Sequence, residues 1–146
     1  MSLASLALVF ALQGQFQTDD GIILAISNDT AFVLPLSSVH RSDQTTSATL
    51  VSIYPEVGEA WEEVRRDMAV EINCSLGQWR VTEEKRIARD GTIKLSEPQV
   101  PGWKPIPSSY PPAAALKAIV CDGIDVSSGK LVDWQGRLPE IRARLR

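Results

Sequence analysis

Histidine and cysteine, the residues that most often carry catalysis or bind metals, are scarce in this chain. Its 146 residues include one histidine, His40, and two cysteines. His40 has no cysteine or acidic neighbour at the spacing of a zinc site. The sequence contains no G-x-S-x-G motif, phosphate-binding glycine loop or H-E-x-x-H motif. Adjacent acidic pairs such as Glu83-Glu84 point in different directions on a strand. We therefore predict no metal site, no cofactor and no local catalytic motif.

The chain also lacks an excess of positive charge and a long hydrophobic run. The net charge of −3 argues against nucleic acid as a partner, because non-specific binding needs a basic surface. The apolar stretch Leu3–Leu12 is ten residues long, which is too short to span a bilayer. It suits the apolar part of a secretory signal, and a buried N-terminal helix or strand is the alternative. We predict a signal peptide at 1–17 and export to the periplasm or cell surface.

The pattern that organises the rest of the chain lies between Asp67 and Val81. Apolar side chains and Cys74 occupy alternate positions as far as Leu76, and polar or small side chains fill the positions between them. This period of two indicates a strand with one buried face and one solvated face. Trp79 follows on a second alternating segment, and we interpret it as a structural anchor of the core.

Further β-rich segments surround this stretch. Turn residues separate 21–26 from 30–34, and Asp90-Gly91 separates 79–88 from 92–95. With the strand at 47–54, the chain predicts an antiparallel meander of about six strands. The run Ile22–Ile26 does not alternate, so we expect burial on both of its faces. Its second cover is either the C-terminal tail or a second copy of the chain.

A proline-rich loop and a helix follow the strands. Trp103 lies among the prolines of 98–112 and is interpreted as the anchor that fixes this loop to the body. Ser108 or Ser109 can cap a helix at 113–121, and Gly123 can end it. The fold class is therefore α+β, with a domain at 18–123 and the helix packed on one face of the sheet.

The C-terminal extension 124–146 is rich in arginine. Leu138, Ile141 and Leu145 are spaced for one face of a helix. A basic amphipathic helix can contact an anionic membrane surface. With only three apolar anchors, however, a short helix folded on the domain, or a frayed tail, is the preferred interpretation.

The two cysteines leave more than one interpretation open. They can form one disulfide or remain two unrelated buried thiols. Cys74 could also act as a nucleophile with His40 as its base. The second cysteine, Cys121, and the export-like N-terminus favour a structural role for Cys74 instead.

The order of these features carries a resemblance to a known family. The matching segments are Phe32-Val33, Ser38-Val39-His40-Arg41, Glu71-Ile72-Asn73-Cys74, Trp79-Arg80-Val81, Asp90-Gly91, Gly102-Trp103-Lys104-Pro105-Ile106, and Val120-Cys121. Together they resemble the bacterial surface-adhesin protein E family over roughly Gly21 to Gly123. The resemblance implies an exported domain with an antiparallel sheet and a C-terminal helix joined to it by a disulfide. With the export-like N-terminus, it leads us to expect a Cys74–Cys121 bond.

The resemblance also implies a function, since the named member of the family is an adhesin that binds host matrix and serum proteins. We expect an exported binding module without catalysis and with a protein partner, for which a second copy of the chain is one candidate. Two alternatives are a small secreted enzyme whose site is assembled from distant residues, and a structural envelope protein that associates with itself.

Overall fold

The computed structural model describes residues 19–98 and 102–146. The predicted signal peptide at 1–17 therefore lies outside the described residues, and so does the first residue of the predicted domain at 18–123. Within the described residues, no helix is long and apolar enough to cross a membrane.

An antiparallel sheet forms the body of the protein. The described residues form nine strands: β1 Gly21–Ile26, β2 Ala31–Pro35, β3 His40–Arg41, β4 Thr46–Ile53, β5 Glu63–Asn73, β6 Gln78–Ala88, β7 Ile93–Ser96, β8 Lys104–Pro105 and β9 Lys130–Leu131. The main path runs β7-β6-β5-β4-β2-β1-β9, while β3 pairs with β4 and β8 with β6. With two helices, α1 Pro111–Val120 and α2 Leu138–Ala143, the fold is α+β.

The sheet contains more strands than the predicted six. All six predicted segments form strands, and they make a meander in the expected order. The three additional strands, β3, β8 and β9, are two residues long. A two-residue strand is too short to show a period in its sequence. Its pairing depends on where the rest of the fold places it.

The predicted strand through Cys74 and Leu76 is wrong at its end. Strand β5 stops at Asn73, whose side chain accepts a hydrogen bond from the Leu76 backbone N–H at 3.2 Å. Gly77 then takes a left-handed φ of 61°, which reverses the chain into β6. Leu76 is 67% exposed, so it does not belong to the core face that its spacing predicted.

Helix α1 covers one face of the sheet. Ala113, Leu116 and Val120 pack on a cluster that the sheet supplies from Ile22, Leu34, Ala48, Val70, Ile72 and Trp79. The predicted serine cap is wrong, because Tyr110 is the N-cap and no side chain caps the helix. Proline in the first turn and a left-handed Gly123 (φ 66°) after the helix agree with the sequence.

The C-terminal tail covers the opposite face. Trp134 and Ile141 are buried against Ala31, Val33, Val51 and Ile53, and Leu138 and Leu145 pack around them. The Trp134 indole N–H donates to Asp19 at 3.1 Å. A Cβ added to Gly21 would lie 3.0 Å from Trp134 and from Val33, so a larger residue there would force one of these side chains to shift. The first hairpin thus packs on both faces, and the tail is its second cover. The predicted burial of the run Ile22–Ile26 is wrong at its end, because Ile26 is 43% exposed.

Candidate binding site at the open sheet edge

The main path of the described sheet ends at two edge strands, β9 and β7, and the outer side of β7 pairs with no other described strand. Ala88 N–H donates to the Thr92 carbonyl at 2.9 Å, and the register pairs Arg86 with Lys94. Inward-bonding and outward-facing residues alternate along an antiparallel strand. Lys94 and Ser96 therefore bond to β6, while the backbone N–H and C=O groups of Ile93 and Leu95 point outward.

The side chains of this edge strand are apolar on one face. Ile93 is 53% and Leu95 66% exposed. Across the sheet, Leu95 ends a row that starts under the tail: Val33, Val51, Asp67, Lys85 and Leu95. The polar middle of the row is fixed by Arg65, which donates to both Asp67 carboxylate oxygens at 2.7 and 2.9 Å. The apolar side chains at the edge are thus separate from the core.

Trp61 lies on the loop next to this edge, and the loop is held in place. Asp90 N–H donates to the Ala60 carbonyl at 2.8 Å, and Arg89 N–H donates to the Glu62 carbonyl at 2.9 Å. These bonds tie Ala60 and Glu62, on either side of Trp61, to the β6–β7 turn. Even so, Trp61 is 73% exposed. A tryptophan that served only the core would be buried, so this one is presented to solvent on an ordered loop.

A cleft of about 580 Å³ runs between Trp61 and the hairpin. Its lining includes Trp61, Glu63, Arg86, Ile87, Thr92 and Lys94. Glu63 is engaged, because both of its oxygens accept from Arg66 at 2.6 and 2.8 Å, and this raises the pKa of the guanidinium. Arg86 pairs with Glu84 at 3.3 Å. The cleft is thus lined by an aromatic side chain, apolar side chains and charged groups.

The two cysteines lie elsewhere in the molecule. Cys74, in the β5–β6 turn, is bonded to Cys121 at the end of α1, with Cα atoms 5.3 Å apart. The disulfide confirms the predicted pairing and suggests a non-reducing compartment. Because nucleophilic catalysis requires a free thiolate, the interpretation of Cys74 as a nucleophile with His40 is wrong. His40 itself is exposed on β3.

The two predicted tryptophan anchors have different environments. Trp79 is buried in the α1 cluster. Trp103 is half-buried, and the Arg80 guanidinium lies 4.6 Å from its ring centroid. Arg80 also donates to Glu71 at 2.9 Å, which holds the guanidinium in place over the ring. That Trp103 anchors the proline-rich loop stays a prediction.

Sequence reasoning missed the residues of the open edge. Ile93 and Leu95 alternate with Lys94, which is also the pattern of a strand with a buried face. Only the position of β7 at the end of the sheet distinguishes the two cases. Trp61 stands in the charged segment Glu56–Arg66, whose sequence suits either a long connection or one or two helical turns, and a large aromatic residue among charges is the available signal.

No family model, curated protein or solved structure matches the chain. The likeness to the protein E family therefore stays a prediction. Among the residues that the structure describes, no three histidine, cysteine or acidic side chains are grouped to hold a metal ion.

Proposed function

We propose that this protein is an exported binding module without catalysis, and that it captures a protein partner at the open sheet edge. The observation that carries the proposal is Trp61, which stays 73% exposed on a loop that backbone hydrogen bonds fix to the β6–β7 turn. An ordered, exposed aromatic residue can bind a partner with little loss of conformational entropy.

The chemistry of the edge favours a protein as the partner. Tryptophan and arginine dominate the binding energy of protein interfaces, and both border the cleft. Beside them, the outward backbone groups of Ile93 and Leu95 can pair with an added strand. An open edge with apolar side chains and charged neighbours offers both main-chain hydrogen bonds and side-chain contacts.

Two further points support export and the kind of partner. The Cys74–Cys121 bond suits an oxidising compartment, and the apolar N-terminal run suits secretion. We assign the protein to the periplasm or the cell surface. The resemblance to the protein E family points to host matrix and serum proteins as the first partners to test.

The test compares three forms of the purified chain: wild type, Trp61→Ala and Leu76→Ala. Leu76 is 67% exposed in the β5–β6 turn, so it serves as a matched control for loss of an exposed apolar side chain. Each form is assayed by surface plasmon resonance against purified matrix and serum proteins and against proteins recovered from cell envelopes. We expect Trp61→Ala to weaken binding by about tenfold or more.

Two results would contradict the proposal. One is a partner that binds Trp61→Ala as tightly as it binds the wild type and the control Leu76→Ala. The other is turnover of a substrate by the purified chain, which would favour the secreted enzyme instead.

A further inference from the structure

We infer that the open edge also binds a second copy of the chain, with the two β7 strands antiparallel across a two-fold axis at Leu95. This inference rests on the proposed function, because it names a partner for the same edge. It uses β7 itself, whereas the proposed function depends on Trp61, so the two can be tested separately.

The backbone supports pairing centred on Leu95. In this register Leu95 lies opposite Leu95 of the second copy, and Ile93 of each chain lies opposite Glu97 of the other. The outward-pointing groups of Ile93 and Leu95 are the ones that such pairing uses. Lys94 and Ser96 keep their bonds to β6, so the sheets join without loss of an existing strand pair.

The charges favour a pair centred on Leu95 over a pair centred on Lys94. Centring on Leu95 puts Lys94 opposite Ser96 of the second copy, and Glu84 lies directly behind that serine in the register of the sheet. Strands are about 4.8 Å apart, so a lysine can reach over the small serine towards this carboxylate, which also pairs with Arg86 of its own chain. Centring on Lys94 would instead put lysine against lysine, with Arg86 behind each of them. Like charges directly opposite are destabilising.

The other face of the paired strands is apolar at the axis. Leu95 meets its own copy, and Lys85 lies behind each leucine, where its aliphatic part can cover the contact. Natural edge strands are protected by shortness, lysine and proline. Here β7 is four residues long and Pro98 follows soon after it, which limits the pairing to a short segment. These features favour a closed pair of chains over an extended fibre.

A cysteine scan tests the register. Single substitutions Ile93→Cys, Lys94→Cys, Leu95→Cys and Ser96→Cys are oxidised mildly, and the covalent dimer is measured by intact mass. Opposed residues of a hydrogen-bonded pair have Cα atoms about 5.5 Å apart, which suits a disulfide. We expect Leu95→Cys to cross-link at least about tenfold faster than Ile93→Cys, because four residues of offset separate the latter pair by about 13 Å. Peptide mapping checks that Cys74 and Cys121 stay bonded to each other.

Sedimentation of the unmodified chain provides the second measurement. We expect a monomer–dimer equilibrium whose dissociation constant rises about tenfold in Leu95→Arg, because two arginines would then face each other. Leu76→Arg, which adds the same charge at an exposed leucine away from the edge, should leave it unchanged. A wild-type chain that is monomeric at every concentration would overturn the inference, as would equal cross-linking at all four positions. A monomer that still binds a partner through Trp61 would leave the proposed function standing.

Discussion

The two edges of this sheet end differently. At one edge β9 pairs with the first residues of β1, Lys130 forms an ion pair with Asp20 at 3.1 Å, and the backbone N–H of Arg146 donates to Asn28 at the hairpin turn. At the other edge β7 carries exposed Ile93 and Leu95, and its outward backbone groups have no strand beside them in the described residues. The tail that adds β9 to one edge also covers one face of the sheet. Both end strands have an unpaired outer side in the described residues. They differ because β9 has two residues and its Leu131 packs against the tail cluster, whereas β7 presents two exposed apolar side chains.

We expect removal of the tail to have the largest effect on stability and association. Deleting residues 124–146 takes Trp134 and Ile141 away from Val33, Val51 and Ile53. Loss of one large buried side chain alone costs about 3–5 kcal/mol, so we expect the truncated chain to lose more than about 5 kcal/mol and to associate through the uncovered face. Thermal denaturation and sedimentation measure both effects. A truncated chain with unchanged melting and association would show that the tail is not the cover.

Alanine substitutions compare two tryptophans, Trp134 in the tail that covers one face and Trp61 beside the open edge. Trp134 is 1% exposed, beneath Arg65, whereas Trp61 is 73% exposed. We expect Trp134→Ala to cost about 3–5 kcal/mol of unfolding free energy, and Trp61→Ala to stay within about 0.5 kcal/mol of wild type. Urea denaturation of the two variants measures the difference. If the two variants lost equal stability, the assignment of one tryptophan to structure and the other to binding would be wrong.

The disulfide links the β5–β6 turn to the end of α1 and stabilises the fold. It closes a loop with a sequence separation of 47, and the constraint on the unfolded chain stabilises the fold by about 2–4 kcal/mol. We expect reduction, or the double change Cys74→Ser and Cys121→Ser, to lower the denaturation midpoint accordingly. Reductant should have no effect on the double variant, which serves as the control. Intact-mass analysis after alkylation checks the bond, and two free thiols in exported protein would contradict it.

The smallest expected effect is a response of the Trp61 loop to acid. Hydrogen bonds from the Thr92 side chain and backbone N–H lower the pKa of Asp90 below its ordinary value near 3.8. Because the folded pKa is lowered, the stabilisation is present above about pH 4 and is lost as the pH falls through the lowered value. Asp90 N–H also holds Ala60, so we expect the Trp61 indole signal in NMR spectra to shift below pH 4. In Asp90→Asn this pH dependence should disappear, and an identical acid response in the variant would argue against the link.

The sequence predicted the regular parts of this fold because periodicity marks them. The six longer strands, the order of the meander and the helix all follow from alternation, turn residues and proline positions. The apolar run of β1 also predicted packing on two faces, although Ile26 at its end is exposed, and the three spaced apolar residues of the tail predicted a helix folded on the domain. At these places, residues close together in the sequence were sufficient to predict the structure.

What the sequence did not predict depends on tertiary position. Trp134, the largest buried side chain of the tail, stands between polar residues and has no periodic partner. Leu76 continues the apolar alternation of β5, yet the Asn73 side chain and Gly77 turn the chain before it reaches the core. The open edge was missed for the same reason, since an alternating pattern does not show whether another strand lies beside it.

Amide-hydrogen exchange along β7 at increasing protein concentration tests the open edge most directly. Lys94 and Ser96 bond to β6, so their amides should be protected equally at every concentration. The Ile93 and Leu95 amides point outward, and we expect their exchange to slow by about tenfold or more as the chains pair. If Leu95 exchanges at the same rate at all concentrations, β7 does not pair with a second copy of the chain.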